Sequence, residues 1–135
     1  MTRTAEAAHT DRTWTVRELA DELGVTTRTL RFYEAEGLIS PRRRGTSRVY
    51  GVRDHARLRL VLRGRRFGMS LAECREIVDM YDGAASSERR QLEVLLARLD
   101  EIAADLRSRQ ADLRRTLAEV GEVAASCRSR LTELS

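Results

Sequence analysis

The residues best equipped for chemistry in this chain are arginines. Arg28 and Arg31 stand three apart in Thr27-Arg-Thr-Leu-Arg-Phe-Tyr33, Arg42-Arg-Arg44 follow Pro41, and Arg48 precedes Tyr50 by two positions. A guanidinium is planar, always charged and carries forked N–H donors, so it pairs with phosphate oxygens or bidentately with a guanine edge. Positions three apart on a helix share a face, which sets Arg28 and Arg31 side by side with Thr27 at the helix start. Three adjacent arginines repel one another unless an anion is near. Thr15, Tyr33 and Tyr50 add hydroxyl donors to the same stretch. All 25 basic residues are Arg; a GC-rich coding sequence accounts for part of that bias, so not every arginine is a contact.

These side chains need elements to hold them. Thr15-Val-Arg-Glu18 matches a capping box, and Val16, Leu19, Ala20 and Leu23 give an apolar face at helical spacing. Gly24 is suited to the left-handed backbone that ends a helix. Thr26 or Thr27 caps a second helix running through Glu36 and ended by Gly37. Leu30 and either Phe32 or Tyr33 bury, leaving Arg28 and Arg31 outward. Pro41 to Gly51 reads as a short two-stranded wing around a Gly-Thr-Ser turn. A third helix over 53–67 turns Leu58, Val61 and Leu62 inward. Its end carries Arg63, Arg65 and Arg66, which flank a phosphate or complement the helix dipole. Ser70-Leu-Ala-Glu73 is a second capping box, opening a fourth helix with Leu71, Cys74, Val78 and Tyr81 on one stripe. Residues 1–12 read as a disordered polar tail, 13–82 as the head and 83–87 as a linker.

Over 88–135 the pattern becomes a coiled-coil seam: Leu92, Leu95, Leu99, Ile102, Leu106, Gln110, Leu113, Leu117, Val120, Ala124, Cys127, Leu131 and Leu134, in steps of three and four. Two consecutive steps of four around Leu106 form a stutter that locally unwinds the supercoil. Such a helix cannot bury its stripe alone, and a second copy of the chain is the simplest partner. Gln110 either fixes register across that seam or is a tolerated polar defect.

Charge divides the chain in the same way. Residues 13–68 hold 13 Arg against 6 acidic residues, while residues 69–135 hold 10 against 13. A basic head on an acidic body is the footprint of nucleic-acid binding. No secretory signal is visible and no stretch approaches the ~18 apolar residues of a membrane span. Cys74 and Cys127 are too few and too far apart for a disulfide framework or a C-x-x-C site, so a cytoplasmic location fits. No phosphate loop, G-x-S-x-G, H-E-x-x-H or paired acid and base marks an enzyme. No metal site or cofactor is expected.

Thr15-Val-Arg-Glu-Leu-Ala, Thr27 to Ile39, Arg48-Val-Tyr and Gly68-Met-Ser-Leu-Ala-Glu together resemble the MerR family of transcriptional regulators. The resemblance covers residues 14–81, with a long helix following. It implies a mainly α fold: a winged helix-turn-helix head of four helices plus a short β wing, then an antiparallel coiled-coil dimerisation helix. It also implies a homodimer on near-palindromic promoter DNA, distortion of that DNA, and RNA polymerase as a partner. On this likeness Thr15, Thr27, Arg28, Arg31, Tyr33, Arg42, Arg43, Arg44, Arg48, Tyr50, Arg63 and Arg66 are the DNA-facing candidates. Core packing is the other reading of Tyr33, and a solvated turn is the other reading of the wing arginines.

Metal-sensing relatives carry two cysteines in a loop after the dimerisation helix. Here Cys127 stands alone, on the seam, and Cys74 reads as core. The chain ends about where the helix does, which predicts no C-terminal effector domain. Leu60 to Gly68, Asp79 to Asp82 and Arg89 to Leu96 resemble a compact subgroup associated with leucine, isovalerate and acyl-CoA catabolism, which implies an acyl-CoA as effector. Two other functions fit parts of the pattern: a coiled-coil nucleoid protein that coats DNA without sequence choice, and a cysteine-dependent metal or redox sensor.

Overall fold

The computed structural model describes residues 12–135. The tail expected over 1–12, with His9, lies outside the described residues except for Arg12. The described chain runs α1 (Val16–Leu23), α2 (Thr27–Ala35), β1 (Arg42–Arg44), β2 (Ser47–Val49), α3 (Val52–Arg66), α4 (Leu71–Asp79) and α5 (Ala85–Glu133). It forms two compact units, one through Gln91 and one over Leu92–Ser135. The fold is the expected one: a four-helix winged helix-turn-helix head and a long C-terminal helix.

Local chemistry explains the boundaries. Glu18 N–H donates to Thr15 Oγ1 at 3.1 Å and Thr15 N–H to Glu18 Oε1 at 2.8 Å, completing the capping box of α1. Those bonds to Thr15 hold the Glu18 carboxyl below its ordinary value. Thr26, rather than Thr27, caps α2 by accepting from Thr29 N–H at 3.1 Å. Both helices end on glycines in the left-handed region, Gly24 at φ 70 and Gly37 at φ 78. At each, the next residue's N–H reaches back to the last turn: Val25 to Ala20 O and Leu38 to Tyr33 O, both 3.0 Å. A side chain there would strain the turn between the helices or the exit from α2.

Leu19, Leu30, Leu38, Tyr50, Leu58, Val61, Met69 and Cys74 make the centre of the head's core. Each large apolar side chain buried there is worth about 1.5–3 kcal/mol before entropy is counted. α3 and α4 approach closely at Gly64, where an added Cβ would lie 2.8 Å from Cys74 Sγ and 3.2 Å from Met69 Sδ. Ser70 and Glu73 form the second capping box, at 3.0 and 3.1 Å.

Two expectations need correction. Tyr81 does not continue the α4 stripe: the helix stops at Asp79, and Tyr81 is exposed while Cys74, Ile77 and Val78 are buried. The linker is also shorter than 83–87, because α5 begins at Ala85. Asp82 accepts from Ala84 N–H at 3.0 Å and from Ser87 Oγ at 2.7 Å. That arrangement organises a first helical turn from residues whose types read as loop. The Ser87 and Ala84 bonds also lower the Asp82 carboxyl pKa.

The 49 residues of α5 span ~74 Å at 1.5 Å per residue. In the single chain its apolar side chains face solvent, with Leu113, Leu117 and Leu131 each at least 65% exposed. Val94, Leu96 and Val123 are exposed as well, so the open apolar surface is wider than the seam alone.

Candidate nucleic-acid interface

α2 separates its residues by depth. Leu30 and Tyr33 are buried, whereas Thr27, Arg28 and Arg31 are exposed on the outer face. Phe32, not Tyr33, is the aromatic turned outward; it is 50% exposed and touches Tyr33 edge-on at 5.4 Å. Phe32 was not among the expected contacts. In sequence either ring of the Phe-Tyr pair can turn in; helix phase against α1 buries Tyr33.

The wing is an antiparallel pair with Arg42 opposite Val49, Arg43 opposite Arg48 and Arg44 opposite Ser47. Gly45 at φ 61 occupies the first of the two loop positions, as a tight hairpin turn requires. Arg42, Arg43 and Arg44 are exposed. Arg48 differs from them: its Nε donates to both carboxylate oxygens of Glu34, at 2.9 and 3.0 Å. That ion pair braces the wing against α2 and offsets the like-charge pairing of Arg43 with Arg48, which would otherwise destabilise the strands.

Tyr50 corrects an expectation. In sequence its hydroxyl stands beside the wing arginines as a candidate DNA contact, but the residue is fully buried. Two backbone hydrogen bonds of 2.9 Å tie it to Trp14, fixing it beneath the wing. Its hydroxyl has no partner among the described residues. Burial, and next the Glu34 carboxylate, push its pKa above the ordinary phenol value. Tyr50 supports the wing from below and presents no surface to a ligand.

The remaining candidates divide similarly. Thr15 is exposed, with its hydroxyl engaged in the α1 cap. Arg63 and Arg66 lie exposed in the last turn of α3, while their neighbour Arg65 donates to Met69 O at 3.0 Å. Arg57 is a structural residue with no signal in the sequence. It donates to Leu38 O at 2.6 Å, Val78 O at 3.0 Å and Asp79 Oδ1 at 2.6 Å, holding the exit of α2 to the end of α4. Arg75 reaches Glu36 O in the same region. At the other side of the head, Trp14 stacks on His55 at 4.5 Å and lies under the Arg12 guanidinium at 4.6 Å.

Of the cysteines, Cys74 is buried and Cys127 exposed. Burial raises the Cys74 thiol pKa. Among the described residues no group of three or more His, Cys, Asp or Glu side chains could hold a metal ion, and no helix is long and apolar enough to cross a membrane.

Comparison with known proteins agrees with this architecture. Residues 14–81 match the MerR HTH family regulatory protein family, and residues 55–123 match the family described as MerR, DNA binding. The HTH-type transcriptional regulator HmrR of Rhizobium leguminosarum bv. viciae is 33% identical over 102 residues, 75% of this chain and 78% of that protein. The crystal structure of the HTH-type transcriptional regulator SkgA from Caulobacter crescentus is 32% identical with a TM-score of 0.51, covering 81% of this chain and 78% of that one. HiNmlR, a MerR family regulator lacking the sensor domain and bound to promoter DNA, is 24% identical with a TM-score of 0.58, covering 78% and 79% of the two chains; that likeness bears on the fold.

Proposed function

The chain belongs to the MerR family of helix-turn-helix regulators, DNA-binding proteins that control transcription, and from that premise we propose that it binds a near-palindromic promoter element as a homodimer and distorts it. The observation that carries the reading is the outer face of α2. It offers Thr27, Arg28 and Arg31 together while Leu30 and Tyr33 anchor the helix from behind. α2 enters the major groove, with Arg28 and Arg31 on base edges or flanking phosphates. Arg43 and Arg44 of the wing grip backbone, and Arg63 and Arg66 flank it from α3. Tyr33 contributes chiefly by packing.

Dimerisation runs through α5. Leu92, Leu95, Leu99, Ile102, Leu106, Leu113, Leu117, Val120, Ala124 and Cys127, with Gln110 among them, form a seam that a second, antiparallel copy covers. The regulator works in the cytoplasm, on promoter DNA engaged by RNA polymerase. An acyl-CoA is the effector class that the compact subgroup suggests. Neither a catalytic step nor a bound metal is needed for this activity.

The test is titration of an operator fragment with Arg28→Ala and Arg31→Ala. Each guanidinium that pairs with a guanine edge costs about 1–3 kcal/mol when removed and relaxes preference at that base. Unchanged affinity in both variants would move the recognition surface off α2.

A further inference from the structure

A cavity of about 480 Å³ opens in the head, lined by Arg42, Arg53 and Arg57 together with Ser40, Asp54 and Asp79. Successive strand residues point to opposite faces, so the wing arginines do not form one cluster. Arg43 shares a face with its cross-strand partner Arg48, which bonds Glu34 of α2. Arg42 shares the other face with Val49, and both line the cavity.

The lining carboxylates are already engaged. Asp54 accepts from Ser40 N–H at 3.0 Å and from Gly51 N–H at 3.3 Å, and Asp79 accepts from Arg57. Arg57 is immobilised by three hydrogen bonds, its side chain only 11% exposed. A guanidinium has five N–H donors, so this fixed one keeps donors in reserve. Arg42 and Arg53 are exposed. The cavity's size falls in the range of about 300–1,000 Å³ typical of small-ligand sites.

We propose that this cavity is a binding site for a phosphate group, on the face of the wing turned away from α2. Arg57 and the Ser40 hydroxyl supply a rigid floor, and Arg42 and Arg53 close on the anion with forked donors. The phosphate is that of a small phosphorylated metabolite, held apart from the DNA-backbone contacts already expected of Arg43 and Arg44. The site stands whether or not α2 reads bases.

The experiment is a titration of the full chain with inorganic phosphate, followed by backbone amide NMR against sodium chloride of equal ionic strength. The expected result is saturable shifts confined to the lining around Ser40, Arg42, Arg57 and residues 51–54. Arg53→Ala should weaken binding about tenfold or more with an unchanged melting temperature, and Arg53→Lys should restore part of it. Repeating the titration on operator-bound protein separates the sources. Shifts that persist identify a metabolite site. Shifts abolished by operator, with Arg53→Ala lowering the salt slope of operator binding by about one, identify an ordinary backbone-phosphate contact and overturn the proposal. Shifts that fail to saturate, or that are identical in Arg53→Ala, overturn the proposal. Loss of phosphate binding with operator recognition intact would leave the α2 reading untouched, and the reverse pattern would leave the cavity untouched.

Discussion

Tyr50 and Cys74 show how much a single side chain's depth decides. Tyr50 has a hydroxyl that in sequence looks like a donor for DNA, yet it is buried without a partner. A buried polar group left unsatisfied costs about 1–3 kcal/mol. Tyr50→Phe is therefore expected to hold or raise the melting temperature and to leave operator affinity unchanged, as thermal unfolding and a binding titration would show. A loss of affinity without loss of stability would restore Tyr50 to the DNA surface. Cys74 is an acid whose folded pKa lies above the ordinary thiol value of 9.0, through burial. The unfolded thiol ionises first, so stability is complete below that value and declines as pH rises past it. Thermal melts should accordingly fall off less steeply above pH 9 in Cys74→Ala than in the parent chain, and Cys74 should resist thiol reagents until the protein is denatured.

At the scale of elements, the helices were legible because their ends carry explicit chemistry. Thr15 with Glu18, Ser70 with Glu73, and the helix-ending glycines Gly24 and Gly37 mark boundaries through local hydrogen bonds. What sequence could not supply depends on long-range contact. The Arg57 ties to Leu38, Val78 and Asp79 span 19 to 22 positions, and the burial of Tyr33 over Phe32 depends on helix phase. The start of α5 is obscured because Gly83, Ser86 and Ser87 are loop-like types and Ser87 is tied to Asp82. Packing between elements yields a prediction at Gly64. Gly64→Ala places a methyl 2.8 Å from Cys74 Sγ, and overpacking of this kind costs about 1–3 kcal/mol, readable as a lowered denaturation midpoint. At the wing, Arg48→Ala removes the brace to Glu34. Operator affinity should fall several-fold and the melting temperature should drop as well, because the pair is only 29% and 23% exposed and the variant leaves the part-buried Glu34 carboxylate without its partner.

At the scale of the molecule, charge and the seam fit one proposed division of labour: a basic head for DNA and a helix for a second copy of the chain. Spacing alone proposes the seam positions and shows nothing of the wider exposed apolar surface, where Val94, Leu96 and Val123 lie off the heptad. The double variant Leu113→Glu, Leu117→Glu sets charges on two of the most exposed seam positions. It should sediment as a monomer and lose operator binding together with dimerisation; a dimer that persists would place self-association elsewhere. Binding should also weaken steeply with salt, as displaced counterions return to the phosphates. The most direct test of sequence-specific, promoter-distorting recognition is nuclease footprinting of the full chain on the DNA upstream of its own gene, with unrelated DNA as competitor. The expected result is a protected near-palindrome with enhanced cleavage at its centre, resistant to competitor. Uniform protection that unrelated DNA abolishes would contradict it and leave a protein that coats DNA without choosing sequence.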